Sequence, residues 1–184
     1  MAAPGATRSA AAGHEAPAPG GLIAADNDAR TPGGLLAVDL GVRTGLAFFG
    51  RDGRLRWYRS HNFGSAQRLR RGIPALLANV EHLVIEGGGA LARPWQDEAD
   101  SRNLAIAWVS AEEWRALFLY AREQRSGEQA KRTADALARR VIEWSGARRP
   151  TSLRHDAAEA ILIGLWGALR LGWLPRLPDG LLHG

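Results

Sequence analysis

Leu35-Leu36-Ala37-Val38-Asp39-Leu40-Gly41-Val42-Arg43-Thr44-Gly45-Leu46-Ala47-Phe48-Phe49 is the stretch on which the fold turns. Its first six residues form an apolar run with one acid near the end, the pattern of a strand buried on both faces. Gly41 breaks the run, and Thr44 to Phe49 reads as a second strand. Arg51-Asp52-Gly53 then carries the Asp-Gly hairpin signal. Arg54 to Ser60 alternates polar and apolar residues as a half-exposed third strand would. The first three strands are therefore expected to form an antiparallel meander.

Working outward, Gln67 to Val80 has Leu69, Ile73, Leu76 and Leu77 at helical spacing. His82-Leu83-Val84-Ile85-Glu86 is a fourth apolar strand ending in an acid, stopped by Gly87-Gly88-Gly89. Leu104 to Val109 is a fifth. Ser110 and Glu113 make a capping box for the next helix, and further helices are predicted over about 128–144 and 155–171. This order gives an α/β fold with a mixed five-stranded sheet flanked by helices. The expected organisation is a disordered Ala/Gly/Pro-rich tail over 1–33, one domain over 34–175, and a short C-terminal tail over 176–184.

Composition narrows the function classes. Hydrophobic residues are 46% of the 184, enough for one real core. The absence of cysteine excludes disulfides and thiolate metal sites and fits a reducing, cytoplasmic setting. No apolar run is long enough to span a membrane without interruption. Residues 1–33 hold two arginines against three acids, so the net charge of +5 becomes +6 over the remainder, which points to a polyanionic partner. Of the 24 basic residues, 23 are arginine, a bias that resembles GC-rich coding and leaves Lys131 as the one lysine.

Four acids carry the chemistry. Asp39 and Glu86 each end an apolar strand, where an unpaired charge is costly. Asp156 and Glu159 lie three apart on an otherwise apolar helix and share one face. Each alone has an ordinary explanation: a turn-former, a strand-edge acid, a helix N-terminal charge. All four together suggest one cluster, and clustered carboxylates suit Mg²⁺ or Mn²⁺, hard cations that take oxygen ligands. Two such ions about 4 Å apart are a standard device for phosphodiester hydrolysis.

The motifs resemble the RuvC family of Holliday-junction resolvases, nucleases of the RNase H-like fold. Val38-Asp39-Leu40-Gly41-Val42-Arg43-Thr44-Gly45-Leu46-Ala47 is similar to that family's opening motif, Val84-Ile85-Glu86-Gly87 to its second acidic strand end, and His155-Asp156-Ala157-Ala158-Glu159-Ala160-Ile161-Leu162 to its last motif. Gly127 to Arg132 resembles the segment that opens the penultimate helix with a lysine. The resemblance spans about residues 35–172. It implies a Mg²⁺-dependent endodeoxyribonuclease with two ions on Asp39, Glu86, Asp156 and Glu159, Lys131 at the scissile region, branched DNA as partner, a homodimer, and a place in DNA recombination and repair. Arg43, Arg93, Trp95 and Arg132 are the expected nucleic-acid contacts, with Trp95 stacking on an unpaired base. Arg51, Arg54, Arg56, Arg59, Arg122 and Arg125 are further phosphate candidates.

Three departures stand against the bacterial resolvases. The loop from Asp39 to Gly45 is one residue shorter, a long helix after Glu86 is cut to a segment over 91–103, and Glu159 stands where aspartate is usual. Competing readings are a YqgF-like RNA-processing nuclease, a nucleotide-binding relative of the sugar-kinase and actin type, and a non-catalytic binder. The chain lacks the Asp-Glu-Arg segment of the first and the second phosphate loop of the next. A pure binder would gain by shedding acids near phosphate.

Overall fold

The computed structural model describes residues 33–120, 123 and 126–182. The predicted 1–33 tail lies outside them but for Gly33, as do Arg122 and Arg125. Strands β1 (Gly34–Asp39), β2 (Thr44–Gly50) and β3 (Leu55–His61) are the expected antiparallel meander. Two parallel strands, β4 (Val80–Glu86) and β5 (Ile106–Val109), complete a mixed sheet in the order β3-β2-β1-β4-β5. Helix α1 (Ala66–Leu76) precedes β4. A 3-10 turn (Gly89–Leu91) and α2 (Arg93–Ser101) lie between β4 and β5. Helices α3 (Ala111–Phe118), α4 (Gly127–Ser145) and α5 (His155–Arg170) follow. Serine caps three of these helices: Ser65 for α1, Ser110 with Glu113 for α3, and Ser126 for α4.

The pleat sorts side chains into two cores. Leu35 and Ala37 of β1, Ala47 and Phe49 of β2, and Val84 of β4 face one side, where α3, α4 and α5 pack. Leu36 and Val38, Leu46 and Phe48, and Leu83 and Ile85 face the other, under α1 and α2. Helix α5 lies close on β1 and β2 because glycines clear its path. A Cβ at Gly164 would stand 2.2 Å from the Phe49 ring, and one at Gly167 would stand 2.6 Å from Leu35.

Two helices share a direction. The α4 C-terminus meets the start of β3, where the Trp144 carbonyl accepts from Arg54 and Ser145 Oγ accepts from Leu55 N–H at 3.0 Å. Just past α5, Leu174 sits against Gly53 in the β2–β3 turn. Both helices therefore end at this turn and begin toward the opposite end of the sheet. The closing segment folds back as well: Leu181 is buried in the core, and its carbonyl accepts from Arg140 at 3.0 Å. No helix among the described residues is long and apolar enough to cross a membrane.

Candidate active site

The site is built at the carboxyl ends of β1 and β4. Asp39 and Glu86 are register partners on these parallel neighbours. Asp39 follows Leu35 and Ala37, and Glu86 follows Val84, so the period of two sends both acids to the face that α5 covers. On the other side of β1, Gly45 pairs with Asp39. A Cβ there would stand 1.9 Å from the Asp156 carbonyl oxygen, so glycine lets the first turn of α5 rest on β2. That seat brings Asp156 and Glu159, one helical turn apart, over the strand ends.

Electrostatics confirm the convergence. Asp39 is pushed from the usual carboxylate range up to about 8, first by burial and then by the charges of Glu159, Glu86 and Asp156. Glu86 is raised by burial and by Glu159. Three groups the sequence reading missed temper the cluster. Ser60 Oγ donates to Asp156 Oδ2 at 2.5 Å. Arg115 on α3 pairs with Glu159 at 2.7 Å and favours the charged forms of Asp39 and Glu86. The buried Trp114 indole N–H lies near enough to Glu86 to favour its carboxylate, yet completes no hydrogen bond of good geometry. Ser60 was findable: counting back from the Asp52-Gly53 turn sets it opposite Gly45, as observed. Arg115 and Trp114 carry no comparable spacing signal.

The donor set suits a divalent cation, since it is oxygen only, and burial followed by like charges raises Asp39 well above the usual carboxylate range. As the side chains stand, no three Asp, Glu or His among the described residues gather tightly enough to grip an ion. Each helix acid is held by a protein partner, Asp156 by Ser60 and Glu159 by Arg115.

The other expected site residues scatter. Lys131 and Arg132 are exposed in the first turns of α4, whose start lies toward the carboxylate end, and Arg132 pairs with Glu128. Arg43 is exposed in the loop after β1. Arg93, at the start of α2, is exposed and pairs with Asp97 at 2.8 Å. Trp95 requires correction. It is fully buried in the α1–α2 core, because the nine-residue α2 turns Pro94, Trp95 and Ala99 inward, and it offers no face to a base. Trp108 is 44% exposed on the edge strand β5. The hairpin arginines are engaged locally: Arg51 with Glu81, Arg56 with Asp52, and Arg54 with Trp144.

A second concavity, of about 410 Å³, lies along the outer strand β3 against the α4–α5 connection. Arg56, Trp57, Tyr58, Arg59, Arg148 and Arg149 line it. The Tyr58 hydroxyl, donating to the Arg148 carbonyl at 2.8 Å, ties its walls together. β3 leads from this basic cleft to Ser60 and thus to Asp156.

Neither a protein-family model nor a curated protein matches this sequence. Among solved structures, the catalytic core domain of BIV integrase aligns over 72% of this chain and 82% of its own at 14% identity. Its TM-score of 0.29 carries no argument. The fowlpox virus Holliday junction resolvase aligns over 74% of this chain and 99% of its own, at 14% identity and a TM-score of 0.57. At that identity the likeness bears on the fold alone, and together with the sheet order it makes this an RNase H-like fold.

Proposed function

We propose that this chain is a divalent-metal-dependent endonuclease that cleaves phosphodiester bonds in branched DNA such as Holliday junctions. One observation carries the reading: β1, β4 and α5 bring four carboxylates to one end of the sheet, Asp39 and Glu86 as register partners and Asp156 on the helix turn seated against Gly45. A cluster like this is expensive in a purely structural role. Asp39, Glu86, Asp156 and Glu159 would hold the ions, two Mg²⁺ with Mn²⁺ able to substitute. When bound, the ions activate water and stabilise the leaving oxygen.

The chain's own residues do the positioning. Ser60 fixes the rotamer of Asp156, and Arg115 holds Glu159 against α3. Burial by α5 keeps Asp39 in a poorly hydrated setting, where its charge interacts strongly with neighbours. The basic cleft beside β3 supplies cations along a path that ends at Ser60, suited to the phosphates of one strand. Arg43 and Lys131 are exposed cations toward the flanking backbone, while Arg93 and Arg132, also exposed, would have to leave Asp97 and Glu128 to reach it.

The test is cleavage of end-labelled four-way junctions, flaps, duplexes, single strands and RNA–DNA hybrids, with Mg²⁺, Mn²⁺ or EDTA. Nicks near the branch point in Mg²⁺ and none in EDTA are expected. Full activity in EDTA would sink the metal mechanism, and preferential cutting of RNA would move the reading to RNA processing.

A further inference from the structure

We infer that a pocket at the carboxylate end of the sheet, on its other face, receives one unpaired nucleobase of the strand being cut. This rests on the nuclease reading and deepens it. The pocket, of about 210 Å³, lies beyond the ends of β1 and β3. Val42, Phe63, Leu69 and Leu91 supply its apolar walls, and Asn62 and Ser65 its polar groups.

Position is the first argument. Val42 lies three residues past Asp39, Leu91 five past Glu86, and Asn62 two past Ser60. Each loop that builds the pocket thus leaves a strand whose end serves the carboxylate site. Phe63 and Leu69 belong to the core under α1 and α2, so the pocket opens on the opposite face from α5. Pocket and carboxylates thus share one end of the sheet, on its two faces.

Exposure is the second. Single exposed hydrophobes are ordinary, but Val42 at 87% and Leu91 at 36% rim the same cavity. Apolar walls repel phosphate and sugar and favour the flat face of a base. The volume admits one ring system and falls below the roughly 300–1,000 Å³ of pockets for larger ligands.

The polar groups sharpen the ligand. Asn62 Oδ1 already accepts from Gly64 N–H at 2.9 Å, and Ser65 Oγ from Arg68 N–H at 3.2 Å. The Asn62 amide N–H₂ and the Ser65 O–H can still donate to a ring nitrogen or carbonyl oxygen of a base. An unstacked base is cheap only where pairing is already interrupted. The pocket thereby reads the branch point.

The experiment binds the Asp39→Asn protein, in EDTA, to a fixed four-way junction carrying pyrrolocytosine at each position flanking the nick site. A rise in fluorescence at one position is expected. Val42→Ser with Leu91→Ser, both at exposed sites, should abolish the rise and weaken junction binding about five- to tenfold, leaving duplex binding unchanged. Leu171→Ser, at an exposed site past the far end of α5, should do neither. Unchanged fluorescence on a bound junction, or an unaltered double variant, would overturn the pocket and leave the nuclease standing. Binding to no nucleic acid at all would overturn both.

Discussion

Asp39 couples the chemistry of the site to the stability of the protein. Its ordinary value is 3.8, and in the folded chain it rises to about 8. Between these values the folded state keeps a proton that the unfolded chain has lost. The contribution is therefore complete below about pH 4 and drains away as pH climbs through 8. Without divalent ions, the melting temperature of the wild type should fall across this range relative to Asp39→Asn. At pH 8 the variant should be the more stable by more than about 1 kcal/mol. Calorimetry at several pH values decides it, and parallel curves would refute it. The same substitution should abolish cleavage while leaving DNA binding intact or tighter, since it removes a negative charge beside phosphate.

Arg115 acts as a resident cation. Arg115→Ala should cost about 1–3 kcal/mol by leaving Glu159 without its partner. It should also lower the Mn²⁺ concentration needed for half-saturation several-fold, read by titration calorimetry. A weaker affinity would show that the guanidinium shapes the site and does not compete for it.

Among elements, the seat of α5 on β2 matters most. Gly45→Ala forces a methyl group into the Asp156 carbonyl. The expected loss is about 1–3 kcal/mol of stability, with cation binding impaired by more than that loss explains. A variant that melts early yet binds Mn²⁺ normally would show that the site tolerates a displaced helix.

Strands and helices were legible because Leu35 to Val38 is an unbroken apolar run, Arg54 to Ser60 alternates, and Leu69, Ile73 and Leu76 fall at helical spacing. That Asp39 and Glu86 end apolar strands, with Asp156 and Glu159 one turn apart on an apolar helix, was equally plain from the sequence. What escaped depends on tertiary covering. Trp95, directly after Arg93 and Pro94, looked like loop surface until α2 rotated it inward. Arg115 reaches Glu159 across 44 residues of sequence, a pairing no local pattern encodes. On α4, Lys131→Ala should slow cleavage by well over tenfold if the amine acts at the scissile phosphate. Arg139, paired with Asp135 and near Tyr58, should on replacement by alanine mainly weaken binding and flatten its salt dependence. Equal, small effects would return Lys131 to the surface.

For the whole molecule, symmetric resolution of a four-way junction takes two sites related by a two-fold axis, so the junction-bound form is expected to be a dimer. The apolar residues of α5 do not supply that contact: Leu165 is buried, and Trp166 and Leu169 pack inward. Light scattering and nick mapping on a fixed junction test the expectation. A monomer that cuts flaps and single strands as readily would keep the nuclease and remove the resolvase.

The common direction of α4 and α5 has an electrical consequence. Aligned peptide dipoles place about half a positive charge at each helix N-terminus. Two such ends, with Ser126 capping one and Asp156 in the first turn of the other, face the end of the sheet where the acids gather. The backbone itself therefore offsets part of the repulsion between a carboxylate cluster and an approaching polyanion. This attraction belongs to the fold and titrates at no pH, so it would persist after every nearby arginine had been neutralised.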